Sequence, residues 1–232
     1  MADVYRIILG MCNVYLVSEN DRCILIDAGN AHKEKQFARE LKKHHLTPEQ
    51  IELVVITHVH YDHVGSIKAI KNLCDCPVAV HENEAHLLKN GDVVLPRGTN
   101  LLGKTVMGLG RTLLTLYPKP FRFSPIEADI IIRDELSLEE YGFPGRIIST
   151  PGHTAGSMSV VLFGGQAFVG DLAINYLPFG RGPIFPPFAD DVDLLLKSWN
   201  YLLEQGVETI FPGHGKPFHA GRLREKFNKL SS

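Results

Sequence analysis

Residues 57–63 read Thr57-His58-Val59-His60-Tyr61-Asp62-His63, and they come directly after the apolar residues 53–56. The apolar run predicts a buried strand, so the polar residues lie in the loop where that strand ends. Imidazoles and carboxylates are good ligands for divalent metal ions, and an H-x-H-x-D-H loop directs four of them into one small volume. The sequence therefore predicts a metal site whose ligands include the following residues of this loop: His58, His60, Asp62 and His63.

The composition is that of an ordinary globular domain. The chain has 232 residues, of which 44% are hydrophobic and 22% are charged. This length and balance predict one α/β domain that is large enough to bury a substantial core. With 24 Lys and Arg against 26 Asp and Glu, the formal net charge is -2, so the chain has no overall basic field. We therefore expect neither a nucleic-acid nor a membrane partner, unless the chain forms a local basic patch.

The first residues lack the pattern of a signal peptide, and no apolar run is long enough to span a membrane. The four cysteines are too sparse for a disulfide scaffold. We therefore predict a cytoplasmic protein with reduced thiols. Cys74 and Cys76 form a C-x-C pair, but no further Cys or His at metal-site spacing lies near them. For this reason we leave the pair out of the predicted site.

Apolar runs and helical periodicity together predict alternating strands and helices. The predicted helices cover residues 33–45, 66–73 and 190–205. The predicted strands cover residues 4–9, 13–18, 22–27, 53–57, 146–150, 158–163, 166–169 and 208–211.

Three more of these strands end in ligand-type residues. His153 lies in P-G-H-T, Asp171 follows glycine in G-D, and His214 lies in P-G-H-G. A lone His or Asp is more often a hydrogen-bonded structural residue or a solvated surface group. Three such positions that follow an H-x-H-x-D-H loop in this order favour a single metal centre built from four strand ends.

On these motifs the chain resembles the metallo-β-lactamase superfamily of metal-dependent hydrolases. The resemblance runs from the D-x-G turn at residues 27–29 to the His214 loop. It implies a four-layered αββα sandwich of two similar halves, formed by residues 1–232 as a single domain. It also implies two divalent metal ions, with zinc expected and iron or manganese as alternatives. The implied ligands are His58, His60 and His153 for one metal, Asp62, His63 and His214 for the other, and Asp171 as the bridge between them.

The chemistry implied by this resemblance is hydrolysis by a hydroxide that the metal ions activate. Asp62 would orient that nucleophile or carry its proton, which makes it the predicted catalytic residue. Asp27 and Thr154 would fix the orientation of the ligands, or else serve only the local turn or a helix cap.

The branch of the superfamily is narrowed by two features. Many true β-lactamases have Cys where this chain has Asp171, so the carboxylate fits the glyoxalase-II-like and lactonase-like branches better. Only residues 215–232 follow His214, whereas glyoxalase II enzymes carry a helical extension that helps to bind glutathione. We therefore expect a hydrolase that acts on an ester, thioester or lactone bond of a small-molecule substrate. The alternatives are an iron-dependent persulfide dioxygenase and a non-catalytic metal-binding protein on the same fold.

Two further segments bear on the substrate. Residues 91–125 form an apolar insertion, which is a helix packed on the core, a lid over the metals or a homodimer contact. The loop after Asp171 offers candidates for a substrate wall, with Arg181 able to meet an anion, unless the loop is simply packed. These candidates are Tyr176, Phe179, Arg181, Phe185 and Phe188. The histidines outside the motifs are expected at the surface: His32, His81, His86 and His219.

Overall fold

Two six-stranded sheets form the centre of the molecule in the computed structural model. The structure describes residues 2–99, 101–117, 122–175 and 184–231, without the side chains of residues 102, 106, 111 and 114. The strands are β1 Asp3–Ile8, β2 Asn13–Glu19, β3 Arg22–Ile26, β4 Ile51–Val55, β5 Val78–His81, β6 Ile130–Ile132, β7 Glu135–Ser137, β8 Gly145–Ser149, β9 Met158–Leu162, β10 Gln166–Gly170, β11 Thr209–Pro212 and β12 Phe218–His219. The helices are α1 Glu34–Lys43, α2 Tyr61–Val64, α3 Ile67–Cys74, α4 Glu82–Asn90, α5 Leu101–Leu116, α6 Val192–Glu204 and α7 Ala220–Ser231.

The first sheet has the order β1-β2-β3-β4-β5-β6 and the second β12-β11-β10-β9-β8-β7. Both are mixed: β3 to β6 run parallel, as do β10 and β11, and the other neighbouring strands are antiparallel. Helices cover the outer face of each sheet, and the inner faces pack on each other. The α/β class and the four-layered αββα sandwich are therefore confirmed.

Side-chain alternation along the strands explains the layering. In β2, Val14 and Leu16 point to the cluster that includes Phe37 of α1, whereas Tyr15 and Val17 point to the cluster between the sheets. Successive side chains of a strand face opposite sides, and here both sides are apolar and buried. The second sheet is buried on both sides in the same way. Its outer face packs in a separate cluster that includes Trp199 of α6.

Several elements were not predicted from the sequence. The short strands β5, β6, β7 and β12 and the helices α4 and α7 lie in segments without a clear apolar period. His81, which was expected at the surface, is buried, and this expectation is wrong. Its Nδ1 accepts the backbone N–H of Asn83 at the start of α4, and its Nε2 lies 3.2 Å from Ser149 Oγ. Burial is tolerated because both ring nitrogens have partners.

The apolar insertion contains the 16-residue helix α5. Several of its apolar side chains face solvent, including Leu101 at 83%, Leu109 at 63% and Leu116 at 64% exposure. A helix packed only on the core of its own domain does not account for these side chains. Among the described helices, α5 included, none combines the length and the apolar character that crossing a membrane requires.

Candidate metal centre

The carboxyl ends of four strands meet at one edge of the sandwich. His58 and His60 lie in the loop after β4, whereas His153, Asp171 and His214 follow β8, β10 and β11 respectively. The two sheets are joined at this edge by backbone hydrogen bonds, from Met158 N to Thr57 O at 2.8 Å and from Asn13 N to Gly213 O at 2.7 Å. The ligand loops of the two halves are therefore held against each other.

All seven predicted ligands converge at this edge. The side chains form three overlapping groups in which the ligand atoms lie within 4.8 Å of one another. The groups are His58 with His60 and His153, His58 with His63 and Asp171, and Asp62 with His63 and His214. The short helix α2 contributes to this arrangement, because it turns Asp62 and His63 back towards the site directly after His60.

Hydrogen bonds at Nδ1 fix the orientation of three imidazoles. His63 Nδ1 donates to Asp27 Oδ2 at 2.8 Å, His153 Nδ1 donates to the Phe188 carbonyl at 2.9 Å, and His214 Nδ1 donates to the Met11 carbonyl at 3.0 Å. Each bond leaves Nε2 directed into the site, which is the arrangement found around metal-binding histidines.

The donor set fits divalent metal ions. Among the described residues, the buried Nε2 atoms of His58 and His60 have no hydrogen-bond partner. His153 Nε2 lies only 3.1 Å from His60 Nδ1, so two ring nitrogens face each other. Buried polar atoms without partners cost free energy, and a bound cation would satisfy His58 Nε2 and the facing nitrogens of His60 and His153. Five imidazoles and two carboxylates suit zinc, iron or manganese.

The three-histidine group, formed by His58, His60 and His153, disfavours protons. Burial and the neighbouring imidazoles hold the pKa of His58 well below its usual value and lower that of His60 to about 3. Burial also lowers the pKa of His153, although Asp171 opposes the shift. The three rings are therefore neutral at physiological pH, which is the form that binds metal.

The acidic group, formed by Asp62, His63 and His214, has the opposite character. Burial alone would lower the pKa of His63, but the charges of Asp27 and Asp171 raise it to about 9. Burial is likewise outweighed at His214, whose pKa is raised well above its usual value by Asp171 and Asp62. His214 Nε2 lies 3.3 Å from Asp171 Oδ2 and 3.4 Å from Asp62 Oδ2. Within the chain itself, this group is held together by ion pairs.

Asp27 supports both the acidic group and the loop before it. Its Oδ2 accepts the His63 bond, and its Oδ1 accepts the backbone N–H of Thr57 at 2.8 Å. Space is tight around these residues: a Cβ on Gly213 would lie 2.5 Å from Asp171 Oδ1 and 2.7 Å from His63 Cε1. Glycine at position 213 is therefore required for the His214 loop to approach the other ligands.

Glu84 of α4 is a buried carboxylate that the sequence gave no reason to single out. It accepts the backbone N–H of Val59, which lies between His58 and His60, and the hydroxyl of Thr154, which follows His153. Burial raises the pKa of Glu84, and these hydrogen bonds oppose the shift. The hydroxyl of Thr154 contacts Glu84 and the hydroxyl of Ser157, so among the described residues its bonds go to side chains behind the ligand-type residues. Glu84 links the ligand loops of the two halves.

A cavity of about 640 Å³ opens over the metal site. Phe188 lines it, as the wall prediction expected. Phe185 instead packs against Trp199 in the core, because the chain turns inward before Phe188. The other predicted wall residues, Tyr176, Phe179 and Arg181, lie outside the described residues. Met107 and Gly110 place one face of α5 on the cavity.

The family is established by comparison with known proteins. A family model described as the metallo-beta-lactamase superfamily matches residues 7–214. The chain therefore belongs to the metallo-beta-lactamase superfamily.

Relatives of this family cover most of the chain. The probable metallo-hydrolase MJ0888 of Methanocaldococcus jannaschii is 30% identical over 208 residues, which cover 88% of this chain and 87% of the relative. The human acyl-coenzyme A thioesterase MBLAC2 is 26% identical over 231 residues, with coverage of 91% and 75%. The crystal structure of the BLEG-1 B3 metallo-beta-lactamase aligns with a TM-score of 0.71 at 22% identity, with coverage of 99% and 100%. This last likeness concerns the fold.

Proposed function

We propose that this protein is a hydrolase that needs two divalent metal ions and cleaves an ester, thioester or lactone bond of a small molecule. The observation that carries the proposal is the convergence of seven ligand side chains in three overlapping groups beneath one cavity. His58, His60 and His153 would hold one ion, Asp62, His63 and His214 the other, and Asp171 would contact both. When bound, such ions lower the pKa of water and polarise a carbonyl group.

The side chains of the site have definite tasks in this reaction. Asp62 lines the cavity and lies 3.4 Å from His214 Nε2, so its carboxylate is placed to orient a water molecule and to accept its proton. Asp27 holds His63 in place from behind. Apolar residues such as Met107 and Phe188 line part of the cavity, and a substrate that displaces water there would have stronger electrostatic contacts.

Two observations support an ester, thioester or lactone substrate over a β-lactam antibiotic. Asp171 occupies the position at which many true β-lactamases of the family have Cys. A relative of which the alignment covers 75% is named as an acyl-coenzyme A thioesterase, which is a hydrolase of thioester bonds. Among the three bond types, the thioester is therefore the one we would assay first.

The test is elemental analysis of protein purified without added metal, followed by hydrolysis assays. We expect close to two metal ions per chain, with zinc as the leading candidate, and hydrolysis of thioesters, esters or lactones without oxygen. Oxygen uptake with a thiol persulfide and one iron per chain would favour the dioxygenase alternative instead. A broad panel that stays silent with every reconstituted metal would contradict the proposal and favour a non-catalytic metal-binding protein.

A further inference from the structure

The cavity over the metal site has two chemically different sides. On the side of His153, Phe188 forms the wall, since its carbonyl accepts the His153 bond and its backbone pairs with Gly98. The chain before Gly98 and the helix after it continue this wall. The residues that line the cavity there are Val94, Leu95, Pro96 and Met107, all of them apolar.

On the side of His214, the cavity carries two cations. The guanidinium of Arg6 donates from Nη1 to the carbonyl of Gly215 at 3.1 Å, which holds it one residue from His214. Lys216 lines the cavity next to it. Neither cation forms an ion pair with any residue in the described part of the chain. Ile8 and Met11 lie on the same side and are 52% and 58% exposed.

The remaining charges of the lining belong to the metal site. Among the described lining residues the acids are Asp62 and Asp171, both of which face ligand histidines. A negative group on a substrate would therefore meet cations at Arg6 and Lys216 and would meet apolar surface at Met107. Unpaired cations on one wall and apolar side chains on the other give a bound molecule a preferred direction.

From this asymmetry we infer that the cavity binds acyl substrates in one orientation. The apolar acyl chain lies on the His153 side against Met107, and the leaving group lies on the His214 side. That leaving group carries an anion, a carboxylate or a phosphate, which Arg6 and Lys216 contact. The inference rests on the proposed function, because it names the substrate class of the same site.

The first experiment measures binding of thioethers, which resemble thioesters but cannot be hydrolysed. Calorimetry with metal-loaded protein compares S-octyl-3-mercaptopropionate with its neutral amide. We expect the anion to bind at least about five-fold more tightly, because each exposed charge contact is worth up to about 1 kcal/mol. In the double variant Arg6→Gln and Lys216→Gln this preference should vanish, while the amide binds as before. The matched control is Lys68→Gln, on the exposed surface of α3 and outside the cavity lining, which should change nothing.

The second experiment tests the orientation. Lengthening the chain of the amide from butyl to octyl should tighten binding at least about ten-fold, because each buried methylene adds hydrophobic stabilisation. Met107→Asn should reduce this gain and leave the preference for the anion unchanged. Equal binding of anion and amide by the unmodified protein would overturn the inference, as would a preference that survives in the double variant. A preference for the anion that is lost in Met107→Asn would overturn the orientation.

These binding constants do not depend on turnover. A protein that shows the expected preferences but hydrolyses no ester, thioester or lactone would refute the proposed function alone. A protein that hydrolyses thioesters but binds anion and amide equally would refute the inference alone.

Discussion

The three-histidine group and the acidic group of the metal centre are held in different ways. In the first, burial keeps His58, His60 and His153 neutral, and a ring nitrogen of His60 faces one of His153. In the second, His63 and His214 favour the protonated form because carboxylates surround them. In the acidic group, protons on the histidines can therefore supply the positive charge that a metal ion would bring. The three-histidine group is neutral, so it would gain positive charge only by binding a metal ion. The two groups of ligand-type side chains thus have opposite electrostatic character.

The largest effect is expected from His58→Ala. His58 belongs to two of the three ligand groups, so its loss should disrupt the three-histidine group and the group that His58 forms with His63 and Asp171. We expect kcat/KM to fall by at least about three orders of magnitude, because metal ions contribute several kcal/mol to stabilisation of the transition state. Circular dichroism should show an unchanged fold. His86→Ala, at an exposed position of α4, is the control and should keep full activity; hydrolysis at the normal rate by His58→Ala would contradict the assignment.

The pH dependence of stability distinguishes the two groups in protein stripped of metal by a chelator. The pKa of His63 is about 9 in the folded chain, against about 6.5 for an unfolded histidine. Because His63 binds its proton more tightly in the folded chain, this proton stabilises the fold. The stabilisation is fully present below pH 6.5 and is lost as the pH rises through 9. Denaturant titrations should show the free energy of unfolding falling by on the order of 3 kcal/mol across this window. After metal is restored, the slope should shrink because metal replaces the protons; an unchanged slope would show that these histidines do not bind it.

Asp27→Asn should weaken the acidic group selectively. The amide of asparagine has one N–H donor group, which would face either the N–H of Thr57 or the N–H of His63, and both of these need an acceptor. The substitution also removes the negative charge next to His63. We expect about 10- to 100-fold weaker binding of one metal, which is the usual effect of losing such a partner. Competition with a chelator would then show one ion lost early and the other retained. Loss of both ions together would mean that the two groups are not separable.

Glu84→Gln is the converse test and should have the smallest effect. Glutamine keeps the size of the side chain but turns one acceptor into a donor, which then faces the N–H of Val59 or the hydroxyl of Thr154. Glu84 touches the backbone of the His58 and His60 loop and no ligand side chain. We therefore expect the affinity of the three-histidine group for metal to fall by about ten-fold. The pH slope of the stripped protein should be unchanged. A change in that slope without a change in metal affinity would assign Glu84 a purely structural role.

The family, the fold and the convergence of the ligand-type residues could be predicted from the sequence, because short motifs at the ends of strands indicate them. An apolar strand that ends in H-x-H-x-D-H is visible in a few residues, and strands that run in the same direction have their carboxyl ends at the same edge of a sheet. His81, Phe185 and Glu84 were not accessible in the same way. Each is buried by elements far away in the chain, and nothing in the neighbouring residues indicates that burial.

The sequence by itself determined which side chains could bind metal and in what order the chain presents them. The tertiary structure decided how those side chains behave, because pKa values and hydrogen-bond partners depend on distances between segments that are remote in sequence. Asp27 lies 36 residues from His63 and yet sets its charge. Arg6 lies more than two hundred residues from Gly215 and yet adds a cation beside His214. Only folding brings these pairs within the few ångströms over which charges and hydrogen bonds act strongly.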